Sequence, residues 1–219
     1  MTGSSTIILS GVMSDIGGAR AIAKTGTGTL TLSGANTYTG ATTISAGTLA
    51  LQGTYATSSY SIAADAVLEL SVLSGTTNYA TTTFTGAGTL RKTGFGTAVW
   101  PATTATFALS TGSLIDIVAG TFVGGSHGNE VWTSNVSDLT VASGATFNGV
   151  EANVRVNQLN GAGTIQSGYP GAGYVKMTIG ADNGTGGNFS GAIINSQTSG
   201  NIEKIGTGTQ ILSGANTYT

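Results

Sequence analysis

The residues able to do chemistry are few and scattered. His127 is the single histidine, in the run Ser126-His127-Gly128-Asn129-Glu130. An acid–base couple of His127 with Glu130, beside the Ser126 hydroxyl, is the most reactive combination on offer. A nucleophile, base and acid must converge in space, and adjacency in sequence does not supply that. A lone histidine between small residues reads instead as a solvated loop residue. Glycoside hydrolysis needs a carboxylate pair across the scissile bond. Asp65 and Glu69 would share one face of a strand but stand over ~10 Å apart. Asp116 reads as outward-facing between Ile115 and Ile117. Arg91 and Lys92 point to opposite faces of a strand, so they form no basic cluster.

Binding chemistry is equally thin. A metal site needs three or four ligands, and no His/Asp/Glu cluster has ligand spacing. There is no cysteine, hence no disulfide or thiolate site. The stretch 180–188, GADNGTGGN, offers calcium only one carboxylate, Asp182. Trp100 and Trp132 have the rings for stacking on sugars, but large aromatics of this kind more often fill a core. Asn135, Asn183 and Asn188 head Asn-x-Ser/Thr triplets at the frequency chance supplies. The reading is a protein without catalytic residues, cofactor or metal, and not an enzyme.

The elements that must position these residues follow from composition. Thr, Gly, Ser and Asn make up 109 of 219 residues, and charged residues only 7%. So few charges cannot cover the outer faces of a helical bundle. Seven Lys plus Arg against nine Asp plus Glu exclude binding nucleic acid by phosphate neutralisation. No apolar run reaches the ~20 residues of a membrane helix. Residues 1–20 lack the basic and apolar regions of a signal peptide.

The chain repeats itself. Ile22 to Thr39 and Ile202 to Thr219 agree at 14 of 18 positions. Lys24, Gly26, Gly28, Asn36 and Tyr38 of the first copy recur as Lys204, Gly206, Gly208, Asn216 and Tyr218. Residues 90–100, LRKTGFGTAVW, form a degenerate copy. Ser10-Gly11 and Ser190-Gly191 extend the match weakly upstream. The local period is two, as in Leu68-Glu69-Leu70 and Val154-Arg155-Val156, so the elements are short strands. Leu30, Leu49 and Leu68 lie 19 apart, and Val141 to Leu159 is 18. Strands at that spacing predict an all-β chain, a parallel β-solenoid with rungs of ~20 residues. Thr27, Thr29 and Thr31 then form an outward row. Asn36 and Asn216 become corner residues bonded to backbone, and Tyr38 and Tyr218 become packing. Asn148-Gly149, Asn160-Gly161 and Asn183-Gly184 are the only hairpin signals for an antiparallel sandwich, the alternative fold.

Lys24 to Leu51, KTGTGTLTLSGANTYTGATTISAGTLAL, closely resembles the passenger-associated transport repeat of bacterial autotransporters. Lys204 to Thr219 resembles its first half. The resemblance implies a right-handed parallel β-helix, residues 1–219 forming one solenoid segment with copies at about 22–51 and 202–219. It also implies a structural protein of the bacterial surface or secreted space, a stalk, fibre or adhesin shaft, with repeats that assist secretion and folding. A membrane is involved only through a translocator barrel this sequence does not contain, and any glycan or protein ligand is left unnamed. The alternatives are a polysaccharide-active β-helix enzyme and a Thr-array ice-binding protein; in the latter, Thr31 becomes Ile211 in the second copy, which breaks the array.

The two ends resemble successive parts of one repeat. Thr2-Gly3-Ser4-Ser5-Thr6-Ile7 matches Thr39 to Ile44 at four of six positions. Thr217 and Thr219 therefore stand where Thr2, Gly3, Thr6 and Ile7 of another copy could continue, in a head-to-tail filament. A cut from a tandem array explains the same match.

Overall fold

A computed structural model describes residues 5–101, 104–125, 130–168 and 176–218. Every regular element in them is a strand, two to five residues long. All strand pairs are parallel and stack into four sheets. Sheet I has ten strands, from Thr6–Leu9 to Gln210–Leu212; sheet II has six, from Thr76–Asn78 to Ala192–Asn195. Sheet III has six, from Ile22–Lys24 to Glu130–Val131, and sheet IV three, from Val154–Val156 to Asn201–Lys204. The first three rungs pass from sheet I to sheet III; from Val67 onward the chain visits sheet I, then sheet II, then III or IV. This is a parallel β-solenoid, and the sandwich is excluded.

Short alternating strands give this fold because each rung can satisfy its backbone only by pairing with the next. The inward residues then stack by type. Leu30, Leu49, Leu68 and Leu90 are successive partners in sheet I, followed by Ile115 and Leu139. Aromatics build two further columns. Tyr60, Phe84, Phe107 and Trp132 lie ring on ring, with centroids 5.6, 5.3 and 4.2 Å apart. Phe122 and Phe147 stack in sheet II at 6.1 Å, and Trp100 packs edge-on to Phe84 and Phe107. Trp100 and Trp132 are thus core residues, at 0% and 1% exposure.

Four sequence expectations are corrected. Val141 does not stack on Leu159; Leu139 does, 20 residues away, and Val141 meets Gly161. Asp65 is not in a strand with Glu69; it sits in a turn at φ 63° that only small or amide-like residues take readily. Thr27 lies in a corner, so only Thr29 and Thr31 share a strand, and Thr31 is buried, so the three do not form an outward row. Thr6 and Ile7 do not occupy the place of Thr43 and Ile44 in sheet III. They pair with Thr29 and Leu30 in sheet I, one face further on.

Candidate functional site

The rare charged residues go into holding corners. Lys24 ends a sheet III strand as an inward residue, and its ammonium turns under the corner that follows. It donates to the carbonyls of Thr25 (3.3 Å), Gly26 (2.7 Å) and, one rung on, Ala46 (2.9 Å). Lys92 repeats the arrangement with Thr93, Gly94 (both 2.8 Å) and Ala119 (3.1 Å). Lys204 donates to Ile205 and Gly206. Each motif reads Lys-x-Gly, and Gly26, Gly94 and Gly206 share a left-handed φ of 77°, 73° and 67°. That backbone turn folds the two carbonyls back toward the ammonium.

The motif is a corner device, independent of face. Lys24 and Lys204 mark the turn into sheet I, whereas Lys92 marks the turn from sheet I into sheet II. Lys92 fills a leucine column, between Leu70 and Ile117, at 1% exposure. Burial pushes its ammonium pKa down to about 8. Burial lowers that of Lys24 as well. Three carbonyl acceptors make such a buried ammonium tolerable.

The rung above carries a matching corner, Ala46-Gly47-Thr48 over Lys24 and Ala119-Gly120-Thr121 over Lys92. A Cβ on Gly47 would meet the carbonyl oxygens of Gly28 and Gly26 at 2.4 and 2.7 Å. One on Gly120 would meet those of Gly96 and Gly94 at 2.4 and 2.5 Å. Only glycine lets the two corners nest.

The second half of the repeat builds a clamp. Asn36 Oδ1 accepts from the Met13 N–H at 2.8 Å, and the Thr37 N–H donates to Met13 O at 2.9 Å. Asn216 and Thr217 hold Ile193 in the same two-point way, at 3.0 Å each. Met13 and Ile193 each follow the upstream Ser-Gly by two residues. The weak upstream match is therefore the rung on which the clamp closes. Tyr38 is buried, its hydroxyl 3.2 Å from Thr42 Oγ1, and Tyr218 is half-buried against the core.

Two holding residues carry no signal in the repeat. Asn135, fully buried, donates to Ser137 Oγ (2.9 Å) and Arg155 O (2.8 Å) and accepts from the Leu109 N–H (3.3 Å), tying three rungs. Gln210, where the first copy has Leu30, reaches past Gly187 to both Leu159 O (2.7 Å) and the Leu159 N–H (3.0 Å). Its side chain bridges a rung whose ladder is short. The triplet at Asn135 pointed to that residue for another reason; nothing pointed to Gln210.

Among the described residues, Glu69, Arg91 and Asp116 meet as cross-strand neighbours in sheet I, and the other residues read for chemistry stand apart from them. Ser126 and His127 lie outside the described residues, as do Thr2, Gly3 and Thr219. Glu130 is buried in a sheet III strand. Asp116 pairs with Arg91 Nε at 2.9 Å, and Glu69 accepts from Thr93 Oγ1 at 2.7 Å. Asp182 accepts from Thr111 at 2.6 Å. Asp138 is bonded by Asn157 (2.9 Å) and Gln158, and burial raises its carboxyl pKa. Hydrogen bonds from the Thr39 hydroxyl hold Asp15 below the usual carboxylate range, and Lys176 does the same for Glu203. Among the described residues no three His, Asp or Glu side chains group as metal ligands. No helix there is long and apolar enough to cross a membrane.

Comparison with known proteins adds one finding. The passenger-associated-transport-repeat family matches residues 22–51 and 202–219. No curated protein and no solved structure matches the chain. The matched segments contain two of the three lysine corners, Lys24 and Lys204, and the clamp residues Asn36 and Asn216, so the family motif coincides with parts that join one rung to the next. Set on a parallel β-solenoid, these two matched segments fit a passenger repeat domain of the autotransporter type.

Proposed function

We propose that the chain is a structural shaft: a stalk, fibre or adhesin stem of a bacterial surface or secreted protein. The observation that carries this reading is the reuse of one corner, Lys-x-Gly under Ala-Gly-Thr, at Lys24 and at Lys92. Its ammonium groups contact backbone carbonyls alone. Rung-to-rung ladders bear load along the axis, and folding nucleated at one rung propagates to the next. Repeats that fold rung by rung outside the cell help draw the remaining chain outward, which supports their role in secretion.

The test places the chain between a signal peptide and a translocator barrel in a Gram-negative host. The expected result is protease-accessible surface display of a folded shaft, reduced severalfold when Asn36 and Asn216 are both replaced by Ala. Retention inside the cell, or display indifferent to both clamps, contradicts the reading. The polysaccharide-enzyme alternative is opposed by carboxylates already bonded at Asp116, Glu69 and Asp182; turnover in a screen of polyuronates and neutral glycans would revive it. The ice-binding alternative is opposed by the column Thr31, Ala50, Glu69, Arg91, Asp116, which is no threonine lattice and in which Thr31 and Ala50 are buried. Thermal hysteresis would count in its favour.

A further inference from the structure

Among the described residues, the large apolar side chains exposed in interior rungs are Leu73, Phe95, Val118 and Val131, at 68, 88, 44 and 41% exposure. Three of them share one corner. Leu73, Phe95 and Val118 follow the successive sheet I strands Val67–Ser71, Thr89–Thr93 and Leu114–Ile117, at the turn into sheet II. The Phe95 N–H donates to Leu73 O at 3.2 Å and the Val118 N–H to Lys92 O at 2.9 Å, so the three form one ridge along the axis. The corner itself has no need of a phenylalanine. Phe95 stands in KTGFGT where Thr27 stands in KTGTGT and Thr207 in KIGTGT. Single exposed apolar residues are ordinary, whereas a contiguous ridge of them marks a contact surface.

The fourth, Val131, lies on the far side of the same rungs. From Val67 to Val131 each rung runs through sheets I, II and III, so the corner between I and II stands opposite the outer face of sheet III. That face carries two columns of small side chains, Thr83, Thr106 and Val131 in one, Ser61, Thr85 and Ala108 in the other. The columns stand ~7 Å apart, two residues along each strand. Ala108 ends at its Cβ beside Thr106, which leaves a hollow between the columns. The two charged residues of the sheet III strands, Lys24 and Glu130, are buried, so the outer face is uncharged.

We propose that the ridge docks sideways onto a second copy of this chain, whose sheet III face receives it. The same rungs build ridge and face, so both repeat along the axis at ~4.8 Å. A sideways shift of one rod, without rotation, therefore sets Leu73, Phe95 and Val118 level with Thr83, Thr106 and Val131. A solenoid of the same pitch keeps step with the ridge at every rung, which is what commits the occupant to a second copy. Neither surface has a free charge to strip of water. The carboxylates nearest the ridge, Glu69 and Asp116, are already bonded to Thr93 and Arg91. Three ridge side chains bury less than the ~1,000 Å² of a stable pair, so each contact is weak and reversible. Ridge and face are different surfaces on opposite sides, so the contact does not close on itself, and rods add side by side into a raft. The inference goes beyond the shaft reading, which holds equally for a rod that stands alone.

Sedimentation velocity of the chain between about 10 μM and 1 mM tests this. Reversible association that grows with concentration is expected. Phe95→Thr installs the residue that the other two copies carry, and Thr106→Arg puts a charge on the receiving face. Each should raise the apparent Kd by about tenfold or more while circular dichroism stays unchanged. Mixing the two variants should restore pairs but not longer assemblies, because the Thr106→Arg chain keeps the ridge and the Phe95→Thr chain keeps the face. A photo-crosslinker at position 95 of the otherwise wild-type chain should label residues 83–108 of a second copy. A wild-type chain that stays monomeric up to about 1 mM overturns the proposal. So does association untouched by Phe95→Thr, a mixture of the two variants that stays apart, or crosslinks that fall outside sheet III.

Discussion

Lys92 shows how much one residue can be asked to do. It replaces an aliphatic core side chain and satisfies three carbonyls across two rungs. Lys92→Met spares the desolvation of an ammonium but orphans those carbonyls, so a net loss of about 2 kcal/mol in urea unfolding is expected. The pH dependence has a defined sign. A base whose folded pKa, about 8, lies below its unfolded value of 10.5 binds fewer protons when folded. Stability from this group is therefore least below pH 8 and grows as pH rises toward 10.5. The wild-type chain should gain on Lys92→Met between pH 8 and 10, and parallel profiles contradict the assignment. Above that range burial raises the tyrosines, Tyr55 to about 12, so their ionisation opposes folding in both proteins. Gly120→Ala tests the corner from the other side. With φ at 69° and carbonyls in the way, a cost of about 3 kcal/mol is expected, against near neutrality if the corner opens freely.

At the scale of elements, strands are short because corners and columns do the joining. Phe107 touches rings on both sides and Trp100 edge-on. Phe107→Ala should cost about 4 kcal/mol, measured by denaturant midpoint at constant slope. Gln210→Leu restores the residue of the first repeat but removes both bonds to Leu159. The Leu159 amide should then exchange with solvent at least several times faster, while amides in sheet III keep their protection. The solenoid was legible in Leu30, Leu49 and Leu68 because rungs without insertions preserve a period. The register between Val141 and Leu159 was not legible because the rung steps vary, 24, 20 and 28 residues in succession, and a change of one or two residues is invisible without a partner strand. The lysine corner was half legible: Lys24 and Lys204 stood out as repeats, but their carbonyl acceptors depend on a glycine turn and on a rung about 20 residues away. Gln210 was illegible because its reach matters only where Gly187 leaves a gap. Thr6 and Ile7 misled because Thr, Ser and Gly recur so often that a six-residue match fits more than one face.

The whole molecule is a one-dimensional stack in which each rung depends on its two neighbours. Interior rungs hold the aromatic columns and the Lys92 corner, whereas the terminal rungs expose apolar edges at Ile8 and Ile211. Stability should therefore be graded along the axis, not uniform, as expected of a nearest-neighbour array. The Lys-x-Gly corner recurs at three junctions between faces and the asparagine clamp at two. The most direct measurement is native-state hydrogen exchange resolved by rung. Protection is predicted to peak across residues 84–147 and to decline stepwise toward both ends. Uniform protection that collapses in a single step, or a most labile centre with firm ends, would contradict it.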